Sequence, residues 1–340
     1  MMPKICVIVP TKNVMPYLDR LFSAINKLDY PVNRLVWIFA DGESNDGTFA
    51  YLKKKKIKFR KIVITKKKST RPNARNEAYR YIVENKIPFD FISTVDADVL
   101  LYPDFFKRMI KHFNNKEIGM AASYFMYDKN KFLADYTNSY LGGKMGKAVV
   151  TDSCATGCGV FRKGCFDFFD EAFECHEDGD LAMSIAEKGW HGIQDFTATC
   201  PHIKDQTVKK ELKELYGMGY YEPLLWIKHP RYFWSKRVLF GSGFYMLTLL
   251  SLPLLILSAI RIAPAWLLFL FPSLLAASFL IHMRQIKNTP LKRALYSAFT
   301  TFRFLIYFTA AVHRLIKLPF QKITFSTANV KRQKESFNTF

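Results

Sequence analysis

The stretch FISTVDADV (residues 91–99) ends an apolar run on two aspartates, Asp96 and Asp98. Side chains alternate along an extended chain, so these two carboxylates point to the same side. Like charges so close repel unless a cation stands beside them. Carboxylate oxygens suit a hard divalent ion, Mg2+ or Mn2+, which keeps positions open for phosphate oxygens. The same spacing also suits a solvated turn, and by itself leaves both readings open. A second acidic cluster, HEDGDLAMSIAEKGW, carries Glu177, Asp178 and Asp180. Acids are favourable in the first turn of a helix, which accounts for Asp180. Asp178, behind Cys175 and His176, has a partly enclosed approach and suits a general base acting on a hydroxyl. In ADGESNDGT (40–48), Asp41 follows an apolar run, Asp46 is placed to cap the next helix, and Gly42 and Gly47 allow tight turns. The basic run KKKSTRPNAR (66–75) suits either a solvated loop or cations beside a polyphosphate.

The elements that would hold these groups alternate. KICVIVP, LVWIFA, KIVIT and FISTV read as buried strands. Between them lie an amphipathic stretch on Leu18, Leu21, Ile25 and Leu28, a short helix in NDGTFAYLKKK, and a longer one in RPNARNEAYRYIVENK. This alternation predicts a mostly parallel sheet covered on both faces. Ligands of such sheets sit at the carboxyl ends of the strands. Pro10 and Thr11, Asp41, and Asp96 with Asp98 all fall there. A second block, 119–227, is expected to complete the sheet. Its helix DLAMSIAEKGW presents Leu181, Ile185 and Ala186 on one face and Gly189 as a C-cap.

The chain has 340 residues, 49% of them apolar, with formal net charge +21, a balance that excludes a disordered chain. Such charge suits nucleic acid, an anionic membrane or phosphorylated substrates, and the apolar pattern chooses. Residues 238–260 and 262–283 carry no charge and are separated by Arg261. Each run is long enough to cross about 30 Å of hydrocarbon at about 1.5 Å per residue, which predicts a transmembrane hairpin. Lys228, Arg231, Lys236 and Arg237 precede it, and Arg284, Lys287, Lys292 and Arg293 follow it. The positive-inside bias places both flanks on the cytoplasmic side, and Arg261 alone points the other way. Trp226, Tyr232, Phe233 and Trp234 fit an interfacial belt. In 294–318, Thr300, Arg303, Tyr307, Arg314 and Lys317 share one narrow helical face, which reads as an amphipathic helix lying on the membrane or as a third span. The tail, ending KRQKESFNTF, is polar and expected to be frayed.

The start, MMPKICVIVP, lacks the basic and long apolar regions of a signal peptide, so the first domain is expected to stay cytosolic. The six cysteines, among them Cys154 and Cys158, fit free thiols; no second pair gives zinc spacing. The expected organisation is a catalytic domain at 1–227, an interfacial segment and hairpin at 228–284, and the amphipathic helix with its basic tail at 285–340. The expected place is the cell membrane, multi-pass, with the catalytic domain cytoplasmic.

Five motifs in order resemble the family 2 glycosyltransferases of GT-A fold: VIVPTKN at 7–13, ADGESNDGT at 40–48, ARNEA at 74–78, DAD at 96–98 and ED at 177–178. No one of them is specific; their order and spacing over 4–225 carry the resemblance. It implies a Rossmann-like mixed sheet. It also implies that Asp41 contacts the nucleotide base and that Pro10 and Thr11 line the nucleotide loop. Arg75 would lie near the donor, Asp96 near the ribose, and Asp98 would hold the metal. Asp178 would be the catalytic base of an inverting transfer. His202, in CPHIKD, stands where many relatives have a histidine; it suits the metal shell, a phosphate, or an ordinary surface position.

Two departures narrow the reading. DADVLLYPD has Leu100 where polyprenyl-phosphate sugar synthases carry Gln, and the Gln-x-x-Arg-Trp motif of processive synthases is absent. The expected partners are a UDP- or GDP-sugar donor and a lipid-linked or other membrane glycan acceptor, not nucleic acid. The alternatives are a dolichol-phosphate mannose synthase-like enzyme acting on a polyprenyl phosphate, and a non-enzymatic basic membrane module binding polyanions. A sugar nucleotidyltransferase would need a glycine-rich loop after the first strand, which TKNVMPYLDR lacks.

Overall fold

The computed structural model describes residues 2–65, 70–152, 155–233, 236–321, 323 and 325, with the side chains of 233–242 outside the description. Residues 66–69 of the basic run, Cys154, the Phe233 side chain, Trp234 and the tail from 331 lie outside the described residues. The chain divides into two compact units, one of 1–129, 146–205 and 323–340, the other of 130–145 and 206–322.

In chain order the first unit begins with β1 (Ile5–Thr11), α1 (Met15–Lys27), β2 (Leu35–Asp41), α2 (Thr48–Lys54), β3 (Arg60–Thr65), α3 (Arg71–Glu84), β4 (Phe91–Val95), α4 (Phe105–His112) and β5 (Ile118–Tyr127). After α5 (Lys131–Leu141), a helix of the second unit, come β6 (Ala148–Thr151), β7 (Cys158–Arg162), α6 (Glu177–Glu187) and β8 (His191–His202). The strands form one sheet in the order β3-β2-β1-β4-β7-β5-β8-β6. Strands β3, β2, β1 and β4 run parallel, as alternation with helices requires. Strand β7 enters antiparallel between β4 and β5, which makes the sheet mixed.

Strand alternation splits the core between the two faces. Val7, Val9, Trp37 and Phe39 pack with Leu18 and Phe22 of α1 and Phe106 of α4. Cys6, Ile8, Ile38 and Ile92 pack with Ala78, Tyr79 and Ile82 of α3 and Leu181 of α6. Both faces are apolar because both are covered. The carboxyl ends of β1, β2 and β4 therefore open on one edge between two helical layers.

Asp46 behaves differently from the expected cap. Gly47, at φ 92°, is the N-cap of α2. Asp46 instead accepts from the Thr48 N–H and the Met15 N–H, both at 3.0 Å, and so ties the start of α2 to the start of α1.

The second unit holds α5, α7 (Val208–Lys228), α8 (Pro230–Phe233), α9 (Lys236–Ala259), α10 (Leu270–Gln285) and α11 (Pro290–Lys317). Helix α7, counted with the first domain in the sequence reading, thus belongs here. Among the described residues, two helices are long and apolar enough to cross a membrane, Ala265–Gln285 and Pro290–Phe320; the described apolar part of the earlier run, Gly243–Ala259, is shorter. Leu250, Ile256, Ile260, Ile262, Trp266 and Phe269 are exposed large apolar side chains along α9 and the turn into α10. Contiguous apolar exposure of this kind marks a surface that meets lipid or protein.

Most of the polar face of α11 meets other helices. Thr300 lies 3.1 Å from Tyr136 Oη of α5, and Tyr307 Oη donates to Glu222 Oε2 of α7 at 2.6 Å. Arg303 pairs with Glu211, and the Arg314 guanidinium lies 4.8 Å from the centre of the Tyr220 ring. Neighbouring helices thus partner Thr300, Arg303, Tyr307 and Arg314, and Lys317 stays exposed.

Candidate active site

The site is built at the carboxyl edge of the sheet in the first unit. Asp41, at the end of β2, is 1% exposed. Its Oδ2 accepts from the Ser44 N–H at 2.9 Å, and its Oδ1 accepts from Ser44 Oγ at 2.7 Å and from Thr11 Oγ1 at 3.2 Å. Ser44 Oγ in turn accepts from the Asn13 N–H at 2.8 Å, and Asn13 Oδ1 from the Asn45 N–H at 3.0 Å. Asn13 and Glu43 take positive φ, 53° and 58°, to make these turns. Asp41 and Thr11 thus meet, and together they lace the two strand-end loops into one rim beside Pro10.

Arg75, in the second turn of α3, is the electrostatic centre. It is 1% exposed and packs over Phe169, its guanidinium 5.0 Å from the ring centre. Nη2 donates to Asp96 Oδ1 at 2.8 Å and Nη1 to Glu177 Oε1 at 2.9 Å. Arg71, one turn earlier and half exposed, reaches Glu177 Oε1 at 3.5 Å. One guanidinium thus joins the tip of β4 to the first turn of α6. Burial works to raise the Asp96 pKa, but Arg75 and Arg71 hold it below the usual carboxylate range. Burial pushes Glu177 up, against the pull of Arg75 and helped by the neighbouring Asp178 charge. The next residue, Asn76, is also buried, and it donates to the Phe169 carbonyl and accepts from the Phe169 N–H, pinning the segment ahead of α6.

Asp98 and His202 form a second pair. His202 Nε2 lies 3.3 Å from Asp98 Oδ2. The backbone fixes this approach: the Ile203 N–H donates to the Asp98 carbonyl at 2.8 Å, and the Leu100 N–H to the Pro201 carbonyl at 2.9 Å. The imidazole stacks on Tyr127 and meets the edge of Phe125. A carboxylate oxygen and an imidazole nitrogen at this separation need a proton or a cation between or beside them. Gly157 leaves room at the neighbouring carboxylate, because a Cβ there would stand 3.0 Å from Asp96 Oδ2. One carboxylate and one imidazole are groups that could take part in holding a divalent ion. Among the described residues, no three His, Cys, Asp or Glu side chains come together as a metal cluster. The structure therefore unites Asp98 with His202 and gives Asp96 to Arg75; the expected trio of Asp96, Asp98 and His202 does not close up.

Asp178, half-buried in the first turn of α6, accepts from the Gly179 N–H through Oδ1 at 2.9 Å. Its Oδ2 has no hydrogen-bond partner among the described residues, so it keeps a lone pair for a proton. His176, at φ 69°, turns the chain so that the helix opens on Glu177 and Asp178. The sequence places Glu177 in the ED motif but assigns it no task of its own. Its place beside Asp178 was the available signal, but the need for a buried acid appears only once Arg75 is seen inside.

Residues 6–173 match the family described as glycosyl transferase family 2. No curated protein matches the chain by sequence. Among solved structures, the mannosyltransferase PcManGT from Pyrobaculum calidifontis, in complex with GDP-Man and Mn2+, is similar at 18% identity and TM-score 0.60, over 94% of this chain and 88% of that one. TarS 1–349 of S. aureus in complex with UDP matches at 16% identity and TM-score 0.48, over 94% of each chain.

Proposed function

We propose that the chain, whose residues 6–173 match glycosyl transferase family 2, moves a sugar from a UDP- or GDP-sugar onto a hydroxyl of a lipid-linked glycan acceptor, inverting the anomeric centre. The observation that carries this reading is the edge of the sheet. There one guanidinium ties Asp96 to Glu177, and Asp178, next along the chain, keeps an uncommitted carboxylate oxygen.

Each group then has a task. The rim of Thr11, Asp41, Ser44 and Asn13 presents a shaped, hydrogen-bonded wall for the nucleoside, with Pro10 beside it. Arg75 keeps Asp96 ionised beside the donor, and Arg71 adds a cation at the half-exposed mouth, suited to phosphate oxygens. Asp98 and His202 would hold a divalent ion, Mg2+ or Mn2+; when bound, it neutralises charge on the departing diphosphate. The similar Pyrobaculum enzyme, solved with GDP-Man and Mn2+, supports that donor class and metal. Asp178 Oδ2 takes the proton of the acceptor hydroxyl as that oxygen attacks the anomeric carbon from the face opposite the leaving group. The carbon–oxygen bond to the diphosphate breaks as the new glycosidic bond forms.

The exposed apolar side chains of α9 and α10 support a membrane-held acceptor, since a soluble one needs no anchor. A panel of UDP-, GDP- and dTDP-sugars, with and without Mn2+, read by thermal shift on the detergent-solubilised protein, tests the donor reading. Stabilisation by one nucleotide sugar that requires metal supports it; no selective shift, or turnover undiminished in chelator, overturns it.

A further inference from the structure

We infer that α11 lies along the membrane surface and does not cross it, so that α9 and α10 are the two crossings. This rests on the membrane-bound reading above. Length and apolarity alone would allow α11 to span; its packing within the second unit does not.

Helix α7 is bound to α11 side by side. Arg303 pairs with Glu211, Tyr307 donates to Glu222, and Tyr216 Oη lies 2.6 Å from His313 Nδ1. The two backbones touch at Gly219, where a Cβ would run into the Tyr307 carbonyl oxygen. Whatever depth α11 occupies between 303 and 314, α7 occupies as well. Yet α7 presents Lys209, Lys210, Lys213 and Glu214 as exposed residues. A charged side chain at the bilayer centre is costly even on the most lenient scale, so four forbid that depth.

The free face of α11 shows what covers it. Leu291, Leu295, Ala298 and Phe302 recur every three or four residues as an exposed apolar line, which continues through exposed Thr309 to Ile316. Leu291 is 81% exposed and Phe302 50%. Arg284 and Lys287 stand exposed just before this line and Lys317 at its end, with no carboxylate partner among the described residues. An apolar line bracketed by free cations fits the boundary between anionic headgroups and acyl chains. By contrast the exposed tip of the hairpin, Ile256, Ile260, Trp266 and Phe269, has Arg261 as its one charge.

The full chain is reconstituted in sealed, singly oriented vesicles of phosphatidylcholine and phosphatidylglycerol, after flotation shows that it is bound. Thr289→Cys and Gln321→Cys, at exposed positions flanking α11, are treated with a membrane-impermeant maleimide. Peptide mass spectrometry reads each position apart from the native thiols. The expected result is that both positions label from the same side and neither from the other. Labelling from opposite sides overturns the in-plane placement while leaving membrane binding intact. A nitrobenzoxadiazole probe on Phe302→Cys should be quenched more strongly by headgroup-level quenchers than by bilayer-centre ones, and on Ile256→Cys the reverse; deep quenching at Phe302→Cys also overturns the placement. Failure to float overturns the membrane-bound reading, and the inference with it.

Discussion

The guanidinium of Arg75 and the carboxylate of Glu177 lie 2.9 Å apart, both almost wholly buried, and join α3 to α6. The same guanidinium holds Asp96 at 2.8 Å from its other nitrogen. Glu177 would not tolerate its position alone, because a buried charge without a partner is costly. Asp178 is therefore oriented by its neighbour, through a cation that also steadies the tip of β4.

Arg75→Ala should leave the buried Glu177 carboxylate without its close partner and remove the nearest cation from the partly exposed Asp96, destabilising the first unit by about 3–5 kcal/mol. Urea unfolding followed by tryptophan fluorescence measures the loss. Arg75→Lys should recover only part of it, because a single ammonium cannot reproduce the two-pronged contact. Equal stability of Arg75→Ala and the parent would show that the link carries no weight.

The lowered Asp96 pKa fixes a sign. Its ionised form is favoured in the folded state, so this contribution to stability is present above the ordinary aspartate value and is lost as pH falls through the lowered one. Glu177 works in the opposite sense: its raised pKa means that its contribution is full below the ordinary glutamate value and fades as pH rises through the raised one. Melting temperature measured downward from about pH 6 to pH 3, around the ordinary carboxylate range, should fall less steeply in Asp96→Asn than in the parent.

Asp98→Ala should abolish the metal-dependent thermal shift with nucleotide sugar, and His202→Ala should raise the Mn2+ concentration for half-maximal activity by about tenfold or more. A titration of activity against Mn2+ separates the two. An unchanged Mn2+ requirement in Asp98→Ala would remove this pair from the metal role.

Asp178→Asn should keep donor binding, read by the same thermal shift, and lose about 10²–10⁴ in turnover on a hydroxyl acceptor. Supplying a polyprenyl phosphate instead distinguishes the rival acceptor. That acceptor is already an anion and needs no base, so retained turnover of Asp178→Asn on it would favour direct transfer to the lipid phosphate.

Gly219→Leu should force α7 from α11, because even a Cβ meets the Tyr307 carbonyl. Overpacking of this kind costs about 1–3 kcal/mol or more. Thermal unfolding in detergent should fall, while an exposed substitution on the same helix, Met218→Leu, should leave it near the parent value.

Local chemistry made much of this protein readable in advance. The runs ICVIVPT, LVWIFAD and FISTV are strands because β-branched and aromatic residues suit a surface buried on both faces, and they are too short to be helices of that burial. Short links then compel parallel strands with polar residues at their carboxyl ends, which placed Thr11, Asp41, Asp96 and Asp98 along one edge. What periodicity could not convey was pairing over distance. Nothing local says that Arg75 is buried between Asp96 and Glu177, that His202 arrives beside Asp98 by way of β8, or that β7 inserts antiparallel next to β4. Likewise the pattern of α11 marked a polar stripe, but a stripe looks the same whether water or another helix covers it. Only the packed chain showed that α7 does, because a partner's identity is set by which segments meet in space, and that depends on the whole fold rather than on any window of residues.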